Sequence, residues 1–294
     1  MRRWTAWAKR QLIYSRADFS DLLHRKAPLP PEAERLHWIF LATLPNSGSS
    51  AFARLIETAP GVTLVNPRAE AQWLVAAMSA DGRRWDPTTP LDYRKVRRVW
   101  TRRALARNPQ ASLAFDKSPP NLVRLDELRE AFGGAASTSV VAFSRHPLAI
   151  CASWAKRYAP ETLAREWLGC PPHQIARGDA YYRLIGELCG QRMARLAAVR
   201  NSAVLHVSYE DFCADPTSVS AQLSAAFPTL GKIDVTQSIS VKDYEPQKLR
   251  NMNDEQVARL SPDQRAAVLA GLEPYADSVG RLGYALETGA PVET

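Results

Sequence analysis

The 294-residue chain has no apolar window of 18 residues, the length a membrane-spanning helix requires. Its opening, MRRWTAWAKRQLIY, also lacks the unbroken apolar stretch of a secretory signal, so the expected location is the cytoplasm. Cysteine is scarce. Cys151, Cys170, Cys189 and Cys213 are separated by 19, 19 and 24 positions with no short pair, which excludes a zinc knuckle or a disulfide scaffold and leaves ordinary reduced thiols. No histidine cluster has the spacing of metal ligands, and no metal is expected. The pattern G-x-x-x-x-G-K-[ST] is missing too, which excludes the common nucleoside-triphosphatase loop.

What is present is enough apolar sequence, 46%, to bury a full core. Lys and Arg number 38 against 30 Asp and Glu, a net charge of +8 that suits a polyanionic cofactor or an acidic substrate. No recognition motif accompanies the charge, so nucleic acid is not an expected partner. Residues 1–35 read as a basic helical arm ended by the Pro-rich KAPLPPEA, residues 36–285 as one domain, and residues 286–294 as a tail. Arg2, Arg3, Lys9 and Arg10 beside Trp4, Trp7 and Tyr14 give the arm a basic-aromatic character compatible with peripheral contact to an anionic membrane, or with a solvated terminus.

Strand patterns alternate with helical ones along the domain. Strands are expected at 38–44, 62–65, 112–115, 139–143 and 203–207, with helices at about 50–58, from about 68 through Trp73 and Met78, through Leu122 and Phe132, from Pro147, and over 173–199. Ser261-Pro262-Asp263-Gln264 is a capping box opening a further helix. This order implies a single-domain, three-layer α/β/α fold with a central parallel sheet. Residues 94–107 carry seven basic side chains and read either as a solvated helix face or as one wall of a site for an acidic acceptor.

The polar motifs sit where strands end. Pro45-Asn46-Ser47-Gly48-Ser49-Ser50 joins the first strand to a helix start, whose unpaired N–H groups and dipole favour an anion. Asp116-Lys117-Ser118-Pro119-Pro120 follows the third strand, Ser144-Arg145-His146-Pro147 the fourth, and Ser208-Tyr209-Glu210-Asp211 the fifth. An Arg offers a planar fork for phosphate oxygens, and Ser153, eight residues on, can converge on the same group from the following helix.

Together these motifs resemble the sulfotransferase family that uses 3'-phosphoadenosine 5'-phosphosulfate (PAPS), over about residues 36–285. The resemblance implies a P-loop-like turn holding the 5'-phosphosulfate on Ser47, Gly48, Ser49 and Ser50, with Arg145 and Ser153 on the 3'-phosphate and Tyr209 near the nucleotide. It places a general base at Glu70, a charge-neutralising Lys117, and a basic loop with Lys242 and Lys248 over the nucleotide. It implies in-line transfer to a hydroxyl or amine of a glycan, lipid, peptide or small metabolite.

The chain departs from the family where a Lys or Arg usually precedes the Ser-Gly of the first loop, because Asn46 stands there. An amide donates a hydrogen bond without charge, and loss of a transition-state donor costs roughly 3–4 kcal/mol. Lys117, Lys242 and Lys248 are the expected substitutes. A nucleotide-dependent kinase, with Asp116 as a magnesium ligand, and a catalytically impaired PAPS-binding protein are the competing readings.

Overall fold

A computed structural model describes residues 2–24, 26–79, 84–237 and 248–286, the first eight by backbone alone. In chain order it contains α1 (Arg2–His24), β1 (His37–Thr43), α2 (Ser49–Ile56), β2 (Val62–Leu64), α3 (Tyr93–Arg107), β3 (Leu113–Asp116), α4 (Leu125–Ala131) and β4 (Thr138–Ser144). There follow α5 (Pro147–Arg157), α6 (Asp179–Arg200), β5 (Leu205–Ser208), α7 (Tyr209–Ala214), α8 (Pro216–Ala226), α9 (Asn253–Val257) and α10 (Pro262–Leu272). Short turns of helix connect several of these.

The five strands form one parallel sheet in the order β2-β3-β1-β4-β5. Strand alternation explains why both faces are covered. Trp38, Phe40 and Ala42 of β1 join one apolar cluster with Trp100 of α3, Trp154 of α5 and Met193 of α6. Ile39 and Leu41 point the other way, into a cluster with Phe52 of α2, Phe143 and Phe212. A strand buried on both faces needs helices on both sides, which is the three-layer arrangement the sequence implies. The order of strand addition reverses at β1: β2 and β3 lie on one side of it, β4 and β5 on the other, with all strands parallel. The loops after β1 and β4 therefore open a crevice at the carboxyl end of the sheet.

Three expectations are corrected. The helix expected from residue 68 is absent: Ala69 has φ 53°, Glu70 has φ −123° and ψ 79°, and only short helical turns follow at Ala71–Leu74 and Ala76–Ser79. The cause is tertiary. Ala71 N–H donates to Asp116 Oδ1 at 2.7 Å, Gln72 N–H to Ser118 Oγ at 3.0 Å, and Lys117 N–H to Ala69 O at 2.8 Å. These bonds pull the segment against the end of β3 and take backbone groups a helix would use. The long helix begins at Asp179 rather than 173, after a separate turn at Pro172–Gln174.

The basic stretch 94–107 is α3, and it is a wall for α1 rather than for an acceptor. Arg98 holds Asp21 through two hydrogen bonds of 2.9 and 3.1 Å, Lys95 pairs with Asp18 at 2.7 Å, and Arg102 donates to the carbonyls of Ala27 and Pro28. The expected arm is thus a 23-residue helix packed on the domain. Among the described residues no helix is long and apolar enough to cross a membrane. All four cysteines are free. The expected tail, apart from Leu286, lies outside the described residues, as does Lys242.

Asp116 is the fully buried anchor of this arrangement. It accepts hydrogen bonds from the N–H groups of Ala71 and Ser118, from Ser118 Oγ, and from Asn121 Nδ2 at 2.6 Å. Burial nevertheless pushes its carboxyl up from 3.8 to about 6. The folded state therefore binds this proton more tightly than the unfolded chain does. Its contribution to stability is full below 3.8 and is lost as pH rises through about 6. Asp116→Asn should remove that slope: unfolding titrations of wild type and variant should differ by an amount that falls across this window and is flat on either side.

Candidate functional site

The turn after β1 requires unusual backbone angles. Asn46 has φ 60° and Gly48 φ 94°. The left-handed region is open to Gly and tolerated by Asn, whereas longer side chains enter it at a cost of roughly 1–2 kcal/mol. That is a local physical reason for Asn at 46. Gly48 is fixed by contact as well: a Cβ there would lie 2.4 Å from Cδ2 of Tyr209. Gly48 precedes α2, so the first N–H groups of that helix face the crevice without intrahelical acceptors. Ser49 and Ser50 line the same opening. Ser47 does not: it is fully buried and its hydroxyl shares a 2.7 Å hydrogen bond with Thr43 Oγ1.

Two side chains from the end of β4 and from α5 hold this turn in place. Arg145 Nη1 donates to Asn46 O at 2.9 Å, and Trp154 Nε1 donates to Pro45 O at 2.8 Å. The Arg145 guanidinium also donates through Nε to Asn253 Oδ1 at 2.8 Å and lies 4.2 Å over the Tyr209 ring. Tyr209 is itself secured by donation from its hydroxyl to Arg250 O at 3.0 Å, and burial pushes that hydroxyl up to about 12. Ser153 Oγ donates to Gln256 Oε1 at 3.2 Å, an oxygen that also accepts from Arg259 at 2.6 Å. His146 contributes its backbone N–H to Glu210 Oε1, which also accepts from Asn253 Nδ2. One network thus joins the ends of β1, β4 and β5 to α9.

Across the opening, Glu70 and Lys117 form an ion pair at 2.5 Å. Lys117 is only 2% exposed, and its fixed stem at the end of β3 leaves its ammonium facing Glu70 Oε1. The other oxygen, Oε2, accepts from Trp73 Nε1 at 2.6 Å and Gln72 Nε2 at 3.4 Å. The non-helical backbone at Glu70 makes this possible by turning the carboxylate toward β3. Asp116, by contrast, is fully buried and satisfied internally, so it does not stand in the cleft as the magnesium ligand of the kinase reading. Among the described residues no group of three or more His, Cys, Asp or Glu can hold a metal ion.

A cleft of about 920 Å³ joins these parts. Asn46, Gly48, Ser49, Ser50, Arg145 and Ser153 line it together. So do Glu70, Lys117 and Tyr209, while Lys248 is an exposed residue of its rim. Among the aromatic side chains near the opening, Trp73 and Tyr158 line the cleft. Trp154 is spent on Pro45 O, and Tyr181 donates to Tyr158 O beneath the surface. Trp85 and Trp167, with ring centroids 5.8 Å apart and planes tilted by 49°, line the cleft beside Trp73 and Tyr158 and carry no local sequence signal. Gln256 of α9 and Arg259 in the turn that follows it carry no local signal either and reach the site only through the packing of α9 against α5.

The profile of the Sulfotransferase family matches residues 39–227. The chain belongs to the sulfotransferase family. A comparison with curated proteins finds no match. Among solved structures, sulfotransferase STF9 from Mycobacterium avium is 12% identical, with a TM-score of 0.49, covering 83% of this chain and 70% of that one. A sulfotransferase from Alicyclobacillus acidocaldarius is 17% identical, with a TM-score of 0.48, covering 83% and 93%. Sulfotransferase STF1 from Mycobacterium tuberculosis H37Rv is 15% identical, with a TM-score of 0.48, covering 92% and 81%. The matched span of the family profile contains the turn after β1, Glu70, Lys117, Arg145, Ser153 and Tyr209, and it ends before α9.

Gly48→Ala tests the turn. It meets both the left-handed angle and the Tyr209 ring, so the sulfotransferase variant should lose at least about 1 kcal/mol in denaturant unfolding. A variant with unchanged stability would show that Tyr209 does not pack against the loop.

Proposed function

We propose that this sulfotransferase moves the sulfuryl group of PAPS to a hydroxyl or amine acceptor, and the observation that carries the reading is the bond from Arg145 to Asn46 O. It brings a phosphate-competent guanidinium to the turn whose helix start favours an anion, so two anion-binding elements share one cleft. The donor set fits a molecule phosphorylated at two positions. Gly48, Ser49 and Ser50 would hold the 5'-phosphosulfate through N–H groups and hydroxyls, and Arg145 with Ser153 the 3'-phosphate. Gln256 of α9 supports Ser153, and Arg259, in the turn after α9, holds Gln256. Ser47 acts from inside, bracing the turn through Thr43.

Glu70 is the base in this reading. The acceptor oxygen or nitrogen attacks sulfur as its proton passes to a Glu70 oxygen, the sulfur–oxygen bond to the nucleotide breaks, and adenosine 3',5'-bisphosphate leaves. Lys117 and the Trp73 indole orient the Glu70 carboxylate before the proton arrives. Once Glu70 is neutral, the Lys117 ammonium loses its ion-pair partner and its charge becomes free to favour the departing oxygen. This sequence supplies a cation that Asn46 does not. Trp73, Trp85, Tyr158 and Trp167 provide flat apolar surface for the acceptor, and the cleft cations Arg68 and Arg157 favour one that carries negative charge.

Two substitutions separate binding from chemistry. Arg145→Ala should weaken binding of adenosine 3',5'-bisphosphate by roughly ten-fold or more, measured by titration calorimetry. Glu70→Gln should leave that affinity intact and reduce transfer of labelled sulfate from PAPS by roughly 10²–10⁴-fold. Full transfer by Glu70→Gln would remove Glu70 from the role of base. Nucleotide binding by wild type, with no transfer to any acceptor in fractionated extracts, would favour the impaired-binder reading instead.

A further inference from the structure

Large exposed apolar side chains are concentrated on one element. Leu12, Phe19, Leu22 and Leu23 of α1 are 52%, 62%, 56% and 63% exposed, and they make up four of the six such residues among those described. Leu12, Phe19 and Leu23 follow one another at intervals of seven and four, with Leu22 beside them, so they form one stripe along the helix. Isolated exposed leucines need no explanation, whereas a contiguous stripe on one helix marks an interaction surface.

The opposite side of α1 is already used. Tyr14 shares a 2.6 Å hydrogen bond with Ser79, and Ala17 is buried against the domain. Asp18 and Asp21 are turned to Lys95 and Arg98 of α3 and neutralised there. The membrane-facing role suggested by the basic-aromatic opening therefore does not extend to Tyr14, which faces inward, nor to Arg10, whose guanidinium lies 4.7 Å over Trp73 at the cleft. Outward with the apolar stripe are Arg16 within it and Lys26 after the helix, together with Gln11, Ser15 and the paired Asp18.

We propose that this outer face of α1 docks on an anionic phospholipid surface. The charge pattern selects that occupant, because the two acidic side chains of the helix are each paired with a cation of α3, Asp21 largely buried and Asp18 half exposed, while Arg16 and Lys26 flank the exposed stripe. Apolar side chains enter the interfacial region and the flanking cations meet lipid headgroups, as in a helix lying in the plane of a membrane. The same helix carries Arg10 to Trp73, and Trp73 donates to Glu70. Docking therefore leaves the Arg10–Trp73 contact on the side of α1 that faces the domain, about one helix diameter from the bilayer.

The test is co-sedimentation of the full chain with vesicles of phosphatidylcholine alone or mixed with phosphatidylglycerol, alongside light scattering of the protein in solution. Wild type should bind the mixed vesicles and sediment little with phosphatidylcholine. Phe19→Glu/Leu23→Glu should reduce binding to the mixed vesicles by about ten-fold or more, and Arg16→Gln/Lys26→Gln should erase the preference for phosphatidylglycerol. Both variants should keep wild-type circular dichroism and wild-type affinity for adenosine 3',5'-bisphosphate, since neither touches the cleft. Absence of vesicle binding by wild type would overturn the proposal, as would equal binding to the two vesicle types or undiminished binding by Phe19→Glu/Leu23→Glu. A wild-type dimer that becomes monomeric in that variant would assign the face to a second copy of the chain and would equally overturn it.

Discussion

The site depends on a single backbone carbonyl held from across the sheet. Asn46 O, in a left-handed turn, accepts from Arg145 at the end of the neighbouring strand, and Pro45 O beside it accepts from Trp154. Without these bonds the turn would be a short connection with strained angles and no fixed direction. With them, the start of α2 and the Arg145 guanidinium are held in one frame, and the cost of ordering both is met during folding rather than at ligand binding. Gly48 against Tyr209, and Tyr209 beneath Arg145, close the same frame from β5.

A second frame faces it and is built on a buried charge. Asp116 has no cation as its direct partner among its hydrogen bonds; it is satisfied by backbone N–H groups, Ser118 and Asn121. Its effect is to draw residues 69–72 onto the end of β3 and so to bring Glu70 against Lys117. The sequence motif Asp116-Lys117-Ser118 thus divides its labour: the first and third residues shape the neighbouring segment, and the second meets its carboxylate. This arrangement also disposes of Asp116 as a metal ligand for phosphoryl transfer, because its oxygens face inward.

The parts legible in the sequence were those encoded over a few residues. Alternating and continuous apolar runs located all five strands, the small-residue turn marked the start of α2, and Arg145 and Ser153 were readable because β4 and α5 fix their separation. The capping box at Ser261 and Gln264 is present with both of its hydrogen bonds. What could not be read was decided between distant segments. Apolar residues near Trp73 and Met78 have helical spacing, yet hydrogen bonds to Asp116 and Ser118 override it. The charge run in α3 has no local sign of its partner, since Asp18 and Asp21 lie more than seventy residues earlier. Gln256 and Arg259 join the site from α9 and the turn after it, outside the strand-end pattern altogether.

The central claim is that the two anion-binding elements receive two ends of one nucleotide. A crystal structure with adenosine 3',5'-bisphosphate tests it most directly. The account predicts the 5'-phosphate at the N–H groups of Gly48, Ser49 and Ser50, and the 3'-phosphate on Arg145 and Ser153. A nucleotide bound with neither phosphate at these residues, or no nucleotide in the cleft at saturating concentration, would contradict it.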